Sequence, residues 1–197
     1  MNTFEYALML ETLSNHGVIA FPTETVMGLG VFYDDENAYH YLNFIKGRPE
    51  DKPYTMMLGD VNNIQEYAFI DEVADKLIKA FMPGPVTLLL KAKNNVPAYV
   101  THSTGIIGVR VPNFDIAREV LTVAVKPLLV PSANKSGQKP ALTSKEVEEI
   151  FGEEVGYVVE GESAKLQPST IIDLTKSPYI IIREGPITKE MIEEVLK

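Results

Sequence analysis

Cysteine is absent from all 197 residues, which excludes disulfides and thiolate metal sites and suits a reducing compartment. Long apolar runs are absent too: no stretch approaches the length needed to cross a bilayer. The N-terminus, MNTFEYALMLETLSNHG, carries acidic residues where a secretion signal would carry basic ones. The expectation is a soluble cytoplasmic protein without a membrane partner. Positive charge is also in short supply. With 18 Lys and Arg against 27 Asp and Glu the formal net charge is −9, which argues against a chain-wide grip on nucleic acid and leaves room only for a local basic cleft. Histidine is scarce: His16, His40 and His102 lie far apart, lack metal-ligand spacing, and are expected in surface or turn roles. Neither a Ser-His-Asp nor a Cys-His grouping is present, which speaks against hydrolases of those kinds. Linkers, repeats and low-complexity segments are missing as well.

What is present has globular proportions: 45% hydrophobic and 23% charged residues, so disorder is not indicated. The length fits one domain over residues 1–197 with a sizeable core. Phe4, Ala7, Leu8 and the residues from Glu11 to Leu13 step at helical spacing behind a cap at Asn2 or Thr3, and Gly17 stops that helix. DDENAYHYLNFIKGRP reads as a second helix, acidic at its start and basic at its end. YTMML, VTLLLKAK, IIGVRV, PLLV, YVV, STIIDL and YIIIRE read as strands. Helices are expected over DVNNIQEYAF, DEVADKLIKAF, NFDIAREVLTVA, TSKEVEEIF and TKEMIEEVLK. This alternation predicts a single α/β domain with a large twisted, mixed sheet flanked by helices.

Most breakers fall at strand ends beside small polar or basic residues: PTETVMGLG, KGRPEDKP, VRVP with PSANKSG, and PSTIID with REG. Ligands of open α/β sheets bind in crevices outside strand ends, so one shared site is the economical reading. Lys46, Arg48 and Lys52 lie within seven positions and suit a polyphosphate, whose transfer chemistry needs positioning and charge neutralisation. A cationic helix end answering the macrodipole accounts for them equally well. GLG lacks the third glycine of a dinucleotide fingerprint, and no GxxxxGK[ST] loop occurs. Ser132 and Asn134 in PSAN offer a hydroxyl and an amide to a nucleotide, or are ordinary turn residues. Arg110 sits in GVRVP, a pattern otherwise fit for a buried strand, so it requires either an anionic ligand or a carboxylate partner. Glu24 in TET is either a base or Mg²⁺ ligand, or an exposed loop carboxylate.

In their order along the chain, PTETVMGLG, KGRPEDKPY, PGPVTLLL, VRVP, PSANKSG, PSTIIDL and REGPIT resemble the YrdC-like domain family, the L-threonylcarbamoyl-AMP synthases, across about residues 17–188. The resemblance is to the short form, without the C-terminal domain of longer synthases. It implies a large twisted, mostly parallel or mixed sheet around a basic cleft. It also implies an enzyme of the nucleotidyltransferase class: ATP, bicarbonate and L-threonine, assisted by Mg²⁺, give threonylcarbamoyl-AMP and pyrophosphate. That product serves a downstream tRNA threonylcarbamoyl transferase machinery.

By the same resemblance Lys46 and Arg48 meet the triphosphate, and Lys52, Ser132, Asn134 and Arg183 complete the nucleotide site. Thr23, Arg110 and Ser169 hold the amino acid, with Lys46, Arg48 and Thr23 nearest the chemistry. Three positions depart from the family pattern: Met27 replaces a tyrosine, Met57 stands where many members have histidine, and Pro168 replaces a glutamate. The methionines, with YTMMLGD, are similar to the YciO-like paralogues, so the alternative is a diverged paralogue that binds nucleotide or double-stranded RNA without synthase activity. An RNA-binding face would draw on Lys46, Arg48, Lys52, Arg110, Lys135, Lys139 and Arg183.

Overall fold

The computed structural model describes residues 1–48, 53–164 and 167–197. The long helices other than the one that follows Phe114 start where a side chain can satisfy their free N–H groups. Helix α1 (Thr3–Ser14) opens with a capping box: Asn2 accepts from the Phe4 and Glu5 amides while the Glu5 carboxylate takes the Asn2 amide. Asp35 caps α2 (Glu36–Lys46), and Gly47, at φ 57°, ends it in the left-handed conformation that glycine adopts without strain. Helices α3 (Ile64–Tyr67), α4 (Glu72–Phe81), α5 (Ala98–Thr101) and α6 (Asp115–Ala124) follow. Thr143 caps α7 (Ser144–Phe151) with a second capping box, and Thr188 caps α8 (Lys189–Leu196).

The strands are β1 (Ile19–Phe21), β2 (Gly28–Phe32), β3 (Thr55–Met57), β4 (Val86–Lys91), β5 (Ile106–Arg110), β6 (Leu128–Leu129), β7 (Tyr157–Val158), β8 (Thr170–Asp173) and β9 (Ile180–Arg183). They form a mixed sheet in the order β7-β1-β2-β6-β3-β5-β4-β8-β9. The expected mixed sheet is present, though it is not mostly parallel. Only β1 with β7, β3 with β5 and β4 with β8 run parallel, and the remaining neighbours are antiparallel. GLG opens strand β2. A Cβ on Gly28 would stand 2.6 Å from Cγ1 of Val130, so the glycine there serves a close approach between strand and neighbouring chain.

Because successive strand residues face opposite sides, one strand feeds two cores. Val18 and Ala20, Leu29 and Val31, Met56 and Leu129 join one cluster with Leu42 and Ile45 of α2, Leu77 of α4 and Val147 of α7. Ile19, Phe21, Met57, Leu128 and Val130 join the other, with Met9 and Leu13 of α1 and Val120 of α6. Helices thus cover both faces of the strands that carry the sequence motifs. Among the described residues no helix is long and apolar enough to cross a membrane.

Candidate active site

Five separated segments meet in a cleft of about 290 Å³. They are the β1–β2 connection with Thr23 and Thr25, the chain after α2 with Arg48 and Tyr54, Arg110 at the end of β5, Ser132 beyond β6, and the β8–β9 pair with Ser169 and Arg183. A larger groove of about 660 Å³, lined by Phe69, Val73, Leu174 and Tyr179 among others, gathers none of these motifs. The smaller cleft is therefore the chemical candidate.

Phe21 pairs with Gly28 across the β1–β2 hairpin, so PTETVM is its loop. The loop is folded on itself: Thr23 Oγ1 donates to the Val26 carbonyl at 2.7 Å and accepts from the Thr25 amide at 3.1 Å. Met27 stitches it to the next wall, its amide donating to Ala141 and its carbonyl accepting from Ala133. Glu24 is not an exposed loop carboxylate. It is 4% exposed and accepts from Arg110 Nη2 at 2.9 Å and from the Asn113 amide at 3.1 Å. Arg110 thereby has its carboxylate partner, and its Nη2 also reaches Thr25 Oγ1 at 3.3 Å. Glu24 Oε2 and Arg110 Nε remain without a hydrogen-bond partner among the described residues, so the buried pair keeps one acceptor and one donor in reserve.

Arg48 leaves α2 through the Gly47 turn, lies 4.8 Å over the Tyr54 ring and donates to the Pro53 carbonyl at 3.3 Å. Tyr54 in turn donates to Asn43 Oδ1 at 2.5 Å, and burial raises its phenol well above the usual range. On the far wall, Arg183 Nε donates to the Ser169 carbonyl at 3.0 Å and its Nη2 to Ser169 Oγ at 3.3 Å. Burial, with repulsion from Arg110, holds Arg183 below the ordinary guanidinium range. Thr87 Oγ1 lies 3.1 Å from Ser169 Oγ, which fixes that hydroxyl from the strand beneath.

Ser132 Oγ donates to Asn134 Oδ1 at 2.5 Å, and Asn134 Nδ2 donates to the Lys135 and Gln138 carbonyls, so this turn is ordered by its own side chains. Lys46, expected at the triphosphate, is not among the residues that line the cleft. It is 2% exposed and lies behind this turn, with Nζ donating to the Ser132 carbonyl at 2.6 Å and the Asn134 carbonyl at 2.7 Å. Desolvation, with repulsion from Arg48 and Lys135, pulls its pKa down to about 7.

Of the cations expected on one RNA-binding face, Arg48, Arg110 and Arg183 meet at the cleft and the other described ones do not line it. Lys46 and Arg110 are buried; Lys135 pairs with Glu154 and packs on Phe151. Lys139 lines a different hollow with Glu146 and Glu149. Lys52 lies outside the described residues. Met27, Met57 and Pro168 all line the cleft, so the three departures from the family pattern meet at one place. Sequence reasoning missed Tyr54 and Thr25. Both stood inside quoted motifs, but the stacking of Tyr54 under Arg48 is a tertiary contact that no motif displays. His16 pairs with Asp35 at 2.8 Å, and His102, at φ 50°, ends α5, in keeping with surface and turn roles.

Against this geometry the chain matches the Sua5/YciO/YrdC family model, described as telomere recombination, over residues 11–185. The threonylcarbamoyl-AMP synthase of Pyrococcus abyssi is 36% identical over 181 residues, covering 91% of this chain and 53% of the relative, so the chain spans about half of that relative's length. The structure of P. abyssi Sua5 complexed with L-threonine superposes with a TM-score of 0.91 at 34% identity, over 98% of this chain and 58% of that one. Escherichia coli YciO superposes with a TM-score of 0.83 at 30% identity, over 92% of this chain and 90% of that one. The chain belongs to the Sua5/YciO/YrdC family.

Proposed function

We propose that the protein is an L-threonylcarbamoyl-AMP synthase, a nucleotidyltransferase that joins L-threonine, bicarbonate and ATP. The observation that carries this reading is the convergence of Arg48, Arg110 and Arg183 with Ser132, Ser169, Thr23 and Thr25 around one cleft, on a fold shared with a threonine-bound relative. Guanidinium and hydroxyl donors suit a phosphate chain and an amino-acid carboxylate.

The amine of threonine must be neutral to capture bicarbonate with loss of water, and a small fraction of it is neutral at about pH 7. The carbamate oxygen then attacks the α-phosphorus of ATP. A P–O bond forms as the bond to the departing pyrophosphate breaks, leaving threonylcarbamoyl-AMP. The work left to the protein is to align two anions and lower their repulsion, so fixed arginines serve it better than a covalent nucleophile. Arg48 and Arg183 face the nucleotide in this reading, and the Glu24–Arg110 pair underlies the amino-acid side. The cleft walls offer hydroxyls and guanidinia, and no cluster of carboxylates and histidines that could hold a metal occurs among the described residues; this donor set fits Mg²⁺ that arrives on the triphosphate. When bound, that ion neutralises part of the phosphate charge. The product would feed the tRNA threonylcarbamoyl transferase machinery.

Met27 and Met57 in the cleft favour a second reading, a YciO-like paralogue that binds nucleotide or RNA without forming this adenylate. Mass-spectrometric analysis of products from ATP, Mg²⁺, bicarbonate and L-threonine, each omitted in turn, separates the two. The synthase yields an adenylate that requires both bicarbonate and threonine, and Arg48→Ala loses most of it while remaining folded. ATP binding without that product establishes the second reading instead.

A further inference from the structure

We infer that Lys46 is a positioning residue rather than a phosphate ligand: it clamps the Ser132–Asn134 turn from behind, so that the turn presents its hydroxyl and backbone to the nucleoside part of the nucleotide. The inference deepens the adenylate reading above and rests on it for the identity of the ligand, though not for the clamp itself.

Three contacts from one residue hold the turn. Lys46 Nζ donates to the carbonyls of Ser132 and Asn134 at 2.6 and 2.7 Å, and the Lys46 carbonyl accepts from the Ser136 amide at 2.7 Å. Side chain and main chain of one helix-terminal residue thus bracket residues 132–136. The side chain is almost wholly enclosed, and Ser132, whose carbonyl it holds, forms the wall between it and the cleft. Its stem cannot swing out without releasing both carbonyls into a buried setting, where unpaired acceptors are costly.

The protonation chemistry agrees with a clamp. Burial and the neighbouring cations Arg48 and Lys135 bring the amine to about 7, so a large share of it is neutral at physiological pH. A neutral amine still carries two N–H bonds, one for each carbonyl, and needs no charge to do this work. A triphosphate ligand requires the charge, and Arg48, on the cleft wall and stacked on Tyr54, is placed to supply it.

The test compares wild type with Lys46→Met, which keeps most of the stem and removes the donors. Calorimetric affinities for adenosine, AMP and ATP are expected to fall by a common factor of about tenfold, because the lost element is the turn that meets the nucleoside. A loss confined to ATP, or at least about tenfold larger for ATP than for adenosine, overturns the inference and makes Lys46 a phosphate contact. Hydrogen exchange of the ligand-free proteins adds an arm independent of function. The Asn134 and Ser136 amides are expected to exchange at least about tenfold faster in the variant, and unchanged exchange also overturns the clamp.

If wild type binds none of the three nucleotides, the adenylate reading fails while the exchange arm still decides the clamp. Should the variant not fold, nuclear magnetic resonance of lysine-labelled wild type serves instead. The Lys46 side-chain signal is expected to respond alike to adenosine and ATP, and a response to ATP alone refutes the proposal.

Discussion

Glu24 and Arg110 show how much a single pair decides. Both side chains are about 5% exposed, and each is the other's countercharge. Removing one partner strands the other in a setting where water cannot reach it, which typically costs about 3–5 kcal/mol. Glu24→Gln, which preserves volume and one acceptor, is expected to lower stability by about 3 kcal/mol in urea unfolding, with Glu24→Gln/Arg110→Met losing less than the two single changes added together. Strict additivity would show that the pair is not coupled. Lys46 makes a pH prediction of definite sign. Its folded-state pKa of about 7 lies below the unfolded value of 10.5, so between those limits the unfolded chain holds more protons. Stability from this group therefore rises with pH through that window, and below about 7 both states are protonated and the native state bears the burial cost. The stability of wild type relative to Lys46→Met is expected to increase between pH 7 and pH 9. A difference that stays flat would mean the amine is solvated.

Strand β2 depends on what it lacks. Gly28 lets it lie against the chain after β6, where a bridge joins Gly28 to Ser132 and brings the hairpin loop beside the Ser132 turn. Gly28→Ala forces Val130 or the bridge to move, at a cost of about 1–3 kcal/mol. The expected result is a lower urea midpoint with an unchanged slope; an unaltered midpoint would mean that Val130 simply rotates aside. Helix α2 ends with a similar economy. Past the Gly47 turn Arg48 lines the cleft, whereas Lys46 is buried behind the Ser132 turn, giving two basic residues of one motif different fates.

The cleft belongs to the whole molecule, since no element contributes more than a wall of it. Its proposed selectivity is therefore a test of assembly. If the cleft hydrogen-bonds the threonine hydroxyl, serine is used with a loss of about 1–3 kcal/mol for the missing methyl, while valine is rejected more strongly because a polar group goes unpaired. Competition assays of adenylate formation with threonine, serine and valine measure this, and equal use of serine and valine would remove the threonine pocket from the proposal. Met27 and Met57, both on the cleft and both nearly inaccessible, bear on the same choice, because a flexible thioether fills space without offering a hydrogen bond.

The alternation of helices and strands, a cap at Asn2 or Thr3, and the meeting of the breaker motifs in one crevice could all be read from the chain. These are local matters: hydrophobic period, cap chemistry and turn residues act over a few positions. The role of GLG was not legible, because glycine is the same letter whether it frees a loop or admits a neighbouring strand, and Val130, about a hundred residues away, distinguishes them. The partner of Arg110 is Glu24, and that of Lys46 is the turn at Ser132, each at a separation no local pattern spans. Composition, the alternation of elements and the breaker motifs determined that this is a globular α/β chain with a polar site at its strand ends. Which basic residues face the cleft and which hold it together was decided by the tertiary structure, because the cost of burying a charge is set by neighbours in space.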